Sequence, residues 1–198
     1  MPNWVTNRVV VYGAPEELKA FREHAGKPAQ FQDEDGGRLS EFSFWNFIKP
    51  DDSILDEYWH GSGLEGGLTF EDRRKSSNNW YDWNNRNWGT KWDAGYVDVI
   101  ESNTDSSIEF RFETAWSPPM PVFEKMVEMF PHLTFSIWYE EEQGWGGELT
   151  GLNGELLIDN QYDIPDTHAE NMSRREYCYC QDAGEQVYAD CPKVKEKV

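Results

Sequence analysis

Alternating apolar residues recur along this chain in an order that restricts its fold to one common topology. A strand-like run leads directly into a helix-like segment, and after a long gap come two strand-like runs, a second helix-like segment and a last strand-like run. This β-α-β-β-α-β order is typical of the ferredoxin-like fold, an α+β fold in which a four-stranded antiparallel sheet carries two helices on one face. The predicted strands are Asn3–Tyr12, Tyr96–Glu101, Ile108–Glu113 and Thr134–Glu140, and the predicted helices begin at Pro15 and after Pro121.

The gap after the first helix is an insertion of about residues 27–94. We predict a ferredoxin-like domain over residues 1–151 that contains this insertion, and a partly ordered extension over residues 152–198. Leu39–Ile48 is expected to add an edge strand or to cap the sheet, and Gly61–Gly67 is expected to form a loop. A short helix that ends at Gly89 is predicted within Ser76–Trp92, because tryptophans and asparagines recur there at near-helical spacing.

The net charge restricts the partners of this chain. Its 18 Lys and Arg face 37 Asp and Glu, so the formal net charge is −19. This sign opposes direct binding to nucleic-acid phosphates and to an anionic membrane. Because the sequence shows neither an apolar stretch of about 20 residues nor a signal-like N-terminus, we expect a cytoplasmic protein without membrane contact.

The negative charge is concentrated in the second half of the chain, where residues 101–198 hold 20 acidic and 7 basic residues. Every second side chain of a strand shares a face, so glutamates on strands can form regular rows. We predict an acidic face that mimics DNA and binds a basic, nucleic-acid-handling protein; the charge can equally serve solubility alone. The predicted acidic face consists of Glu109, Glu113, Glu140, Glu141 and Glu142.

A second candidate site is the tryptophan- and asparagine-rich end of the insertion. Indole rings flanked by amides can stack on a base or a sugar, which would make the chain a small-ligand or nucleotide-binding module. The same rings can instead fill the core at one end of the sheet while polar side chains cap turns, and the scarcity of nearby cations favours this structural interpretation. The cluster consists of Trp80, Trp83, Asn87, Trp88, Lys91, Trp92 and Asp93.

Metal binding and catalysis have weaker support in the sequence. The candidate metal ligands are Cys178, Cys180, Cys191 and His168, but a single residue between Cys178 and Cys180 is a poor chelating distance and a second close pair is missing. We therefore expect no metal and no cofactor. Paired carboxylates arise by composition alone in so acidic a chain, and no catalytic motif is recognised, so we assign no catalytic residue and do not expect an enzyme.

Four short motifs follow one another along residues 1–151: MPNWVTNRVV at 1–10, NWGTKWDA at 87–94, TAWSPP at 114–119 and YEEEQGWGG at 139–147. In these motifs the chain resembles the YubB-like family of phage and plasmid proteins. The resemblance implies an N-terminal ferredoxin-like domain of the Api type, without an iron–sulfur cluster, and carriage on mobile elements. With such carriage, we expect a non-enzymatic accessory protein whose basic partner is a host or phage protein, in particular a nucleic-acid-handling or defence protein of the host. It implies no reaction, because no activity or catalytic residue is assigned to that family.

Overall fold

The computed structural model describes residues 2–27, 40–60, 78–101, 106–174, 188 and 190–192. The strands within these residues are β1 (Trp4–Tyr12), β2 (Gly95–Glu101), β3 (Ser107–Ala115), β4 (Thr134–Glu141), β5 (Gly146–Leu152) and β6 (Glu155–Tyr162). The helices are α1 (Pro15–Ala25), α2 (Leu55–His60), α3 (Trp80–Asn87), α4 (Met120–Met129) and α5 (His168–Arg174), with 3-10 turns at Phe44–Asn46 and Asp52–Ile54. None of these described helices is long and apolar enough to span a membrane. The loop predicted at Gly61–Gly67 lies outside the described residues.

All strands form one antiparallel sheet in the order β2-β3-β1-β4-β5-β6. The four strands predicted from the sequence are β1 to β4. They are consecutive in the sheet, with β3 and β1 in the middle of the four, and α1 and α4 connect them in the predicted order. The ferredoxin-like α+β class is therefore confirmed, with two strands more than the predicted four.

Strands β5 and β6 extend the sheet beyond β4. They are joined by a two-residue turn, Asn153-Gly154, in which the two φ angles are 53° and 82°. Type I′ hairpin turns need positive φ at both central residues, and an Asn-Gly pair adopts it at low cost. The predicted domain boundary at residue 151 falls inside β5, and β6 continues the same sheet.

One face of the sheet is buried beneath α1 and α4. Val5, Val9 and Val11 alternate along β1 and are fully buried, because successive strand residues point to opposite faces. On the helix side, Phe21 of α1 is fully buried, and its ring packs edge-on to that of Phe135 with 5.6 Å between centroids. This arrangement leaves the other face of the sheet to polar side chains.

The insertion packs on the helix-covered face. Phe42 stacks on Phe112 with 5.0 Å between ring centroids, and Phe44 meets Phe112 edge-on at 5.6 Å. The chain forms a 3-10 turn at Phe44–Asn46 that places these rings on the sheet face, and it does not pair with an edge strand. The predicted edge strand at Leu39–Ile48 is therefore wrong, and the alternative, a segment that caps the sheet, is correct.

The predicted helix of the insertion is α3. Asn79 caps its N-terminus, since Asn79 Oδ1 accepts a hydrogen bond from the backbone N–H of Asp82 at 3.1 Å. Past the last turn, Gly89 has a φ of 78°, and a Cβ there would come within 3.0 Å of Pro121. Glycine thus allows both the left-handed backbone and the close approach of α3 to the start of α4.

Candidate binding surface on the polar face of the sheet

The sheet face opposite α1 and α4 is mainly polar, and we call it the polar face. Residues paired across adjacent strands share a face, so the register of β1, β3 and β4 identifies its members. They include Trp4, Thr6, Arg8, Glu109, Arg111, Glu113, Trp138 and Glu140. Three of the predicted acidic residues, Glu109, Glu113 and Glu140, therefore lie on one face as expected.

Two arginines neutralise Glu109 in the middle of this face. Arg8 donates from Nε and Nη2 to the two carboxylate oxygens at 2.9 and 2.8 Å, and Arg111 donates from Nε at 2.5 Å. The hydrogen bonds from Arg8, supported by Arg111, lower the pKa of Glu109 to about 2. With two guanidinium groups around one carboxylate, the predicted row of negative charge is interrupted at Glu109.

We expect Glu109→Gln to make the fold less sensitive to acid. A carboxyl group whose pKa is lowered by folding stabilises the native state above its unfolded pKa of about 4.3, and this contribution is lost as the pH falls through the folded pKa. The folded pKa of Glu109 is about 2. At neutral pH the substitution should cost only about 1 kcal/mol, because Arg8 and Arg111 are half exposed and water screens the pair.

Urea unfolding of the wild type and of Glu109→Gln, at neutral pH and at about pH 3, measures this difference. The wild type should lose more of its unfolding free energy between the two pH values. Equal losses in the two proteins would contradict the stabilising role of the Arg8–Glu109 pair.

Three glutamates lie at one end of the polar face, and we call Glu113, Glu140 and Glu142 the acidic end. Glu113 and Glu140 flank Thr6 on either side in the sheet. Glu142 follows β4, and its backbone N–H donates to the backbone oxygen of Trp4 at 3.1 Å. Burial raises the pKa of Glu113, and the charge of Glu142 raises it further. Like charges are therefore held close together here, unlike in the middle of the face.

Glu141 does not belong to the acidic end. It pairs with Val5 and so points to the helix-covered face, where it is 2% exposed. Its Oε2 accepts a hydrogen bond from the backbone N–H of Gln143 at 2.6 Å. Consecutive strand residues alternate between faces, which separates Glu141 from both of its glutamate neighbours and places it at the turn between β4 and β5.

Part of the predicted tryptophan and asparagine cluster lies in or against the core. Trp83 and Trp88 are 4% and 2% exposed and pack edge-on with 5.7 Å between ring centroids. Trp80 is partly buried against the same core. Asn87 donates from Nδ2 to the backbone oxygen of Trp83 at 2.8 Å, within its own helix. Trp83 and Trp88 are therefore not available as a stacking platform.

Asp93 joins the two ends of the insertion. Its carboxylate accepts hydrogen bonds from the Ser43 hydroxyl at 2.5 Å and from the backbone N–H groups of Phe44 and Ala94 at 2.7 Å each. Burial raises the pKa of Asp93, whereas these three hydrogen bonds act in the opposite direction. All of its contacts hold the fold of the insertion.

Lys91 and Trp92 lie at the surface, among rings that the cluster did not include. The Lys91 ammonium is 4.2 Å from the centroid of the Trp92 ring, 5.2 Å from that of Trp116 and 5.7 Å from that of Tyr81. A cation within about 6 Å of a ring centroid is attracted to the ring face. The faces of these exposed rings therefore already accept a positive charge.

Trp92 connects this group of rings to the polar face. Its centroid is 6.0 Å from that of Trp4, and Trp4 is in turn 6.0 Å from Tyr96, which meets it edge-on. Tyr96 is 79% exposed, and Trp92 and Trp116 are also exposed. We call Trp4, Trp92, Tyr96 and Trp116 the aromatic patch; it borders the acidic end, because Trp4 is the next polar-face residue along β1 from Thr6.

Two members of the aromatic patch have unusual backbone conformations. The φ angles of Tyr96 and Trp116 are 51° and 69°, in the left-handed region that bulky residues rarely adopt. Such conformations cost about 1–2 kcal/mol per residue and are found most often at functional sites. The strain holds two large rings at the surface, where they contribute little to the core.

Residues 87–182 match the family model described as the ferredoxin-like domain in Api92-like protein. This match agrees with the Api-type ferredoxin-like domain that the resemblance implied, although it begins at residue 87 rather than at the N-terminus. A crystal structure of protein Api92 from Yersinia pseudotuberculosis is similar to this chain, with 9% sequence identity and a TM-score of 0.47, over 83% of this chain and 99% of that one. No curated protein matches the chain.

The candidate metal ligands do not come together among the described residues, where no group of three or more His, Cys, Asp or Glu side chains could hold an ion. Cys191 is buried, and the backbone N–H of His168 donates to Asp190 at 2.8 Å. Cys178 and Cys180 lie outside the described residues.

Trp4, Tyr96 and Trp116 are the surface residues that sequence reasoning missed. For Trp4 a signal existed, because alternation along the predicted strand places it on the same face as Arg8. Its proximity to Trp92 and Tyr96 depends instead on the pairing of β1 with β3 and of β3 with β2, which local sequence does not indicate.

Proposed function

We propose that this chain is a non-enzymatic accessory protein of a mobile genetic element that binds a basic, nucleic-acid-handling or defence protein of the host through the polar face. The observation that carries the proposal is the geometry of the acidic end: Glu113 and Glu140 flank Thr6 on the polar face and Glu142 follows β4. Burial, and after it the charge of Glu142, raises the pKa of Glu113. A cation of a partner between these carboxylates would relieve their repulsion. The mobile-element part of the proposal rests on the four motifs that resemble the YubB-like family.

The aromatic patch favours a protein partner over a nucleic acid. Tryptophan and tyrosine are enriched in protein interfaces, where they supply much of the binding energy. Their faces also attract lysine and arginine side chains. A phosphate backbone would instead be repelled by the neighbouring acidic end and by the net charge of −19.

The Arg8–Glu109–Arg111 group restricts the orientation in which a partner can bind the polar face. Mimicry of DNA would use the acidic end and not a continuous row, because the charge of Glu109 is neutralised. A partner would therefore place basic groups over the acidic end and neutral or acidic groups over Arg8 and Arg111. A uniformly basic partner would place positive charge over Arg8 and Arg111, and this repulsion disfavours its binding.

A small-ligand module on the tryptophan-rich insertion is the less favoured function. Trp83 and Trp88 are buried and bonded into the fold, with Trp88 Nε1 donating to the backbone oxygen of Ile48 at 2.8 Å. Among the exposed rings, Trp92 and Trp116 already hold the Lys91 ammonium, whereas Trp4 and Tyr96 border the acidic end and suit a cationic partner.

The double variant Glu113→Gln/Glu142→Gln tests the proposal, and we expect it to lose partner binding by about tenfold or more. Each substitution keeps the shape of the side chain and removes a charge that would pair with the partner. Affinity capture from a lysate of the encoding organism, followed by titration of the captured protein after purification, gives the comparison. The captured protein should be basic and should be displaced by duplex DNA.

The matched control is Glu16→Gln/Glu124→Gln, which removes the same charge from exposed positions on α1 and α4. It should bind the partner as the wild type does. If the two double variants weaken binding equally, net charge and not the acidic end is responsible. If no basic protein is captured by the wild type, the proposed function is wrong.

A further inference from the structure

Small residues border Glu113 on both neighbouring strands. Its cross-strand partners are Thr6 on β1 and Gly95 on β2. Among the described residues, a Cβ at Gly95 would contact only the backbone oxygen of Glu113, at 3.5 Å, apart from its chain neighbours. Gly95 thus leaves an opening on the polar face beside the side chain of Glu113, and we call this opening the Gly95 notch.

Aromatic rings stand beside the notch. Tyr96 follows Gly95 at an irregularity in the β2–β3 register between Gly95 and Asp98, and such bulges often re-aim a side chain near a functional site. The Tyr96 ring is exposed and meets the Trp4 ring edge-on at 6.0 Å. Trp4 is a diagonal neighbour of Glu113 on the polar face, since it pairs with Ala115.

We propose that the Gly95 notch binds an arginine side chain of the partner, with its guanidinium between the Glu113 carboxylate and the rings of Trp4 and Tyr96. This inference rests on the proposed function and names the group by which the basic partner is recognised. Glu142, whose charge acts on Glu113, adds a second carboxylate to the same region.

Arginine suits this notch better than lysine for three reasons. The guanidinium is planar and stacks on indole and phenol rings, it donates in bidentate form to a carboxylate, and it is more weakly hydrated than an ammonium group. The same face already shows the bidentate geometry, in the two hydrogen bonds from Arg8 to Glu109. Arg8 and Arg111 donate to Glu109, whereas the cross-strand partners of Glu113 are a threonine and a glycine, which leave space beside its side chain.

Calorimetric titration with two peptides of equal length and charge tests the inference, one alternating glycine with arginine and the other alternating glycine with lysine. The wild type should bind the arginine peptide about tenfold more tightly, because equal charge cancels the non-specific attraction and leaves the contribution of stacking and bidentate bonding. Gly95→Met fills the notch and should remove this preference without weakening the lysine peptide. Gly95 does not have a positive φ, so the larger side chain fits its backbone.

Tyr96→Gly is a second variant, which removes a ring beside the notch and, unlike Gly95→Met, does not fill the notch. Glycine adopts the positive φ at position 96 without strain, so this variant should melt at the same temperature as the wild type or higher while it loses the arginine preference. A purely structural role for Tyr96 would instead lower the melting temperature and leave the preference intact.

The possible results separate the two proposals. Equal affinity for both peptides, with both weakened by Glu113→Gln/Glu142→Gln, would overturn the arginine site and leave the proposed function standing. If neither peptide binds the wild type more tightly than it binds this double variant, both the arginine site and the proposed function are overturned. An arginine preference that survives in Gly95→Met and in Tyr96→Gly would place the arginine elsewhere and overturn the notch.

Discussion

Phe42→Ala is expected to lower the free energy of unfolding by about 3–5 kcal/mol, the range found for large aromatic residues removed from cores. Phe42 is fully buried, and its ring centroid lies within 5.5 Å of the ring centroids of Phe47, Phe110 and Phe112. The two β3 rings belong to the central sheet, whereas Phe42 and Phe47 belong to the insertion. The substitution therefore opens a cavity at the boundary between insertion and sheet.

Urea denaturation followed by circular dichroism measures this loss, and Leu157→Ala is the control, because Leu157 is half exposed on the edge strand β6. The control should change the unfolding free energy by less than about 1 kcal/mol. If Phe42→Ala were as mild as the control, the insertion would be an appendage to the sheet and not part of its core.

The fold could be predicted to the extent that it depends on local alternation. Ile108, Phe110 and Phe112 alternate with charged residues, so the period of two marks β3 directly. Leu39–Ile48 was more difficult, because Phe42, Ser43, Phe44 and Trp45 are buried in succession. An aromatic-rich segment with Ser43 between Phe42 and Phe44 does not distinguish a strand from a turn that packs over a sheet, and tertiary contacts decide between them.

The acidic end could be predicted only in part. Strand parity separates Glu141 from Glu140 and Glu142, and this information was present in the sequence. The neutralisation of Glu109 was not, because Arg8 lies 101 residues away and reaches Glu109 only when β1 and β3 are neighbours. The aromatic patch could not be predicted for a further reason. The positive φ angles of Tyr96 and Trp116 contradict the local backbone preferences of bulky residues.

Asp93 is the polar residue of the tryptophan and asparagine cluster whose removal should affect stability most, and we expect Asp93→Ala to cost about 2–4 kcal/mol. The substitution leaves the Ser43 hydroxyl and the backbone N–H groups of Phe44 and Ala94 without their acceptor. Each buried donor left unsatisfied costs about 1–3 kcal/mol. The variant no longer buries a carboxylate, and this burial is unfavourable, as the raised pKa of Asp93 indicates. Its removal offsets part of the loss from the unsatisfied donors.

Chemical denaturation of Asp93→Ala and of the control Asp98→Ala checks the prediction, since Asp98 is an exposed residue of β2. The control should stay within about 0.5 kcal/mol of the wild type. Asp93→Asn should fall between the two, because its single amide oxygen can accept only part of the three hydrogen bonds. An Asp93→Ala variant as stable as the wild type would mean that Asp93 is retained for a ligand or partner and not for the fold. A large loss instead assigns Asp93 to the scaffold that holds Trp92 and the aromatic patch beside the acidic end.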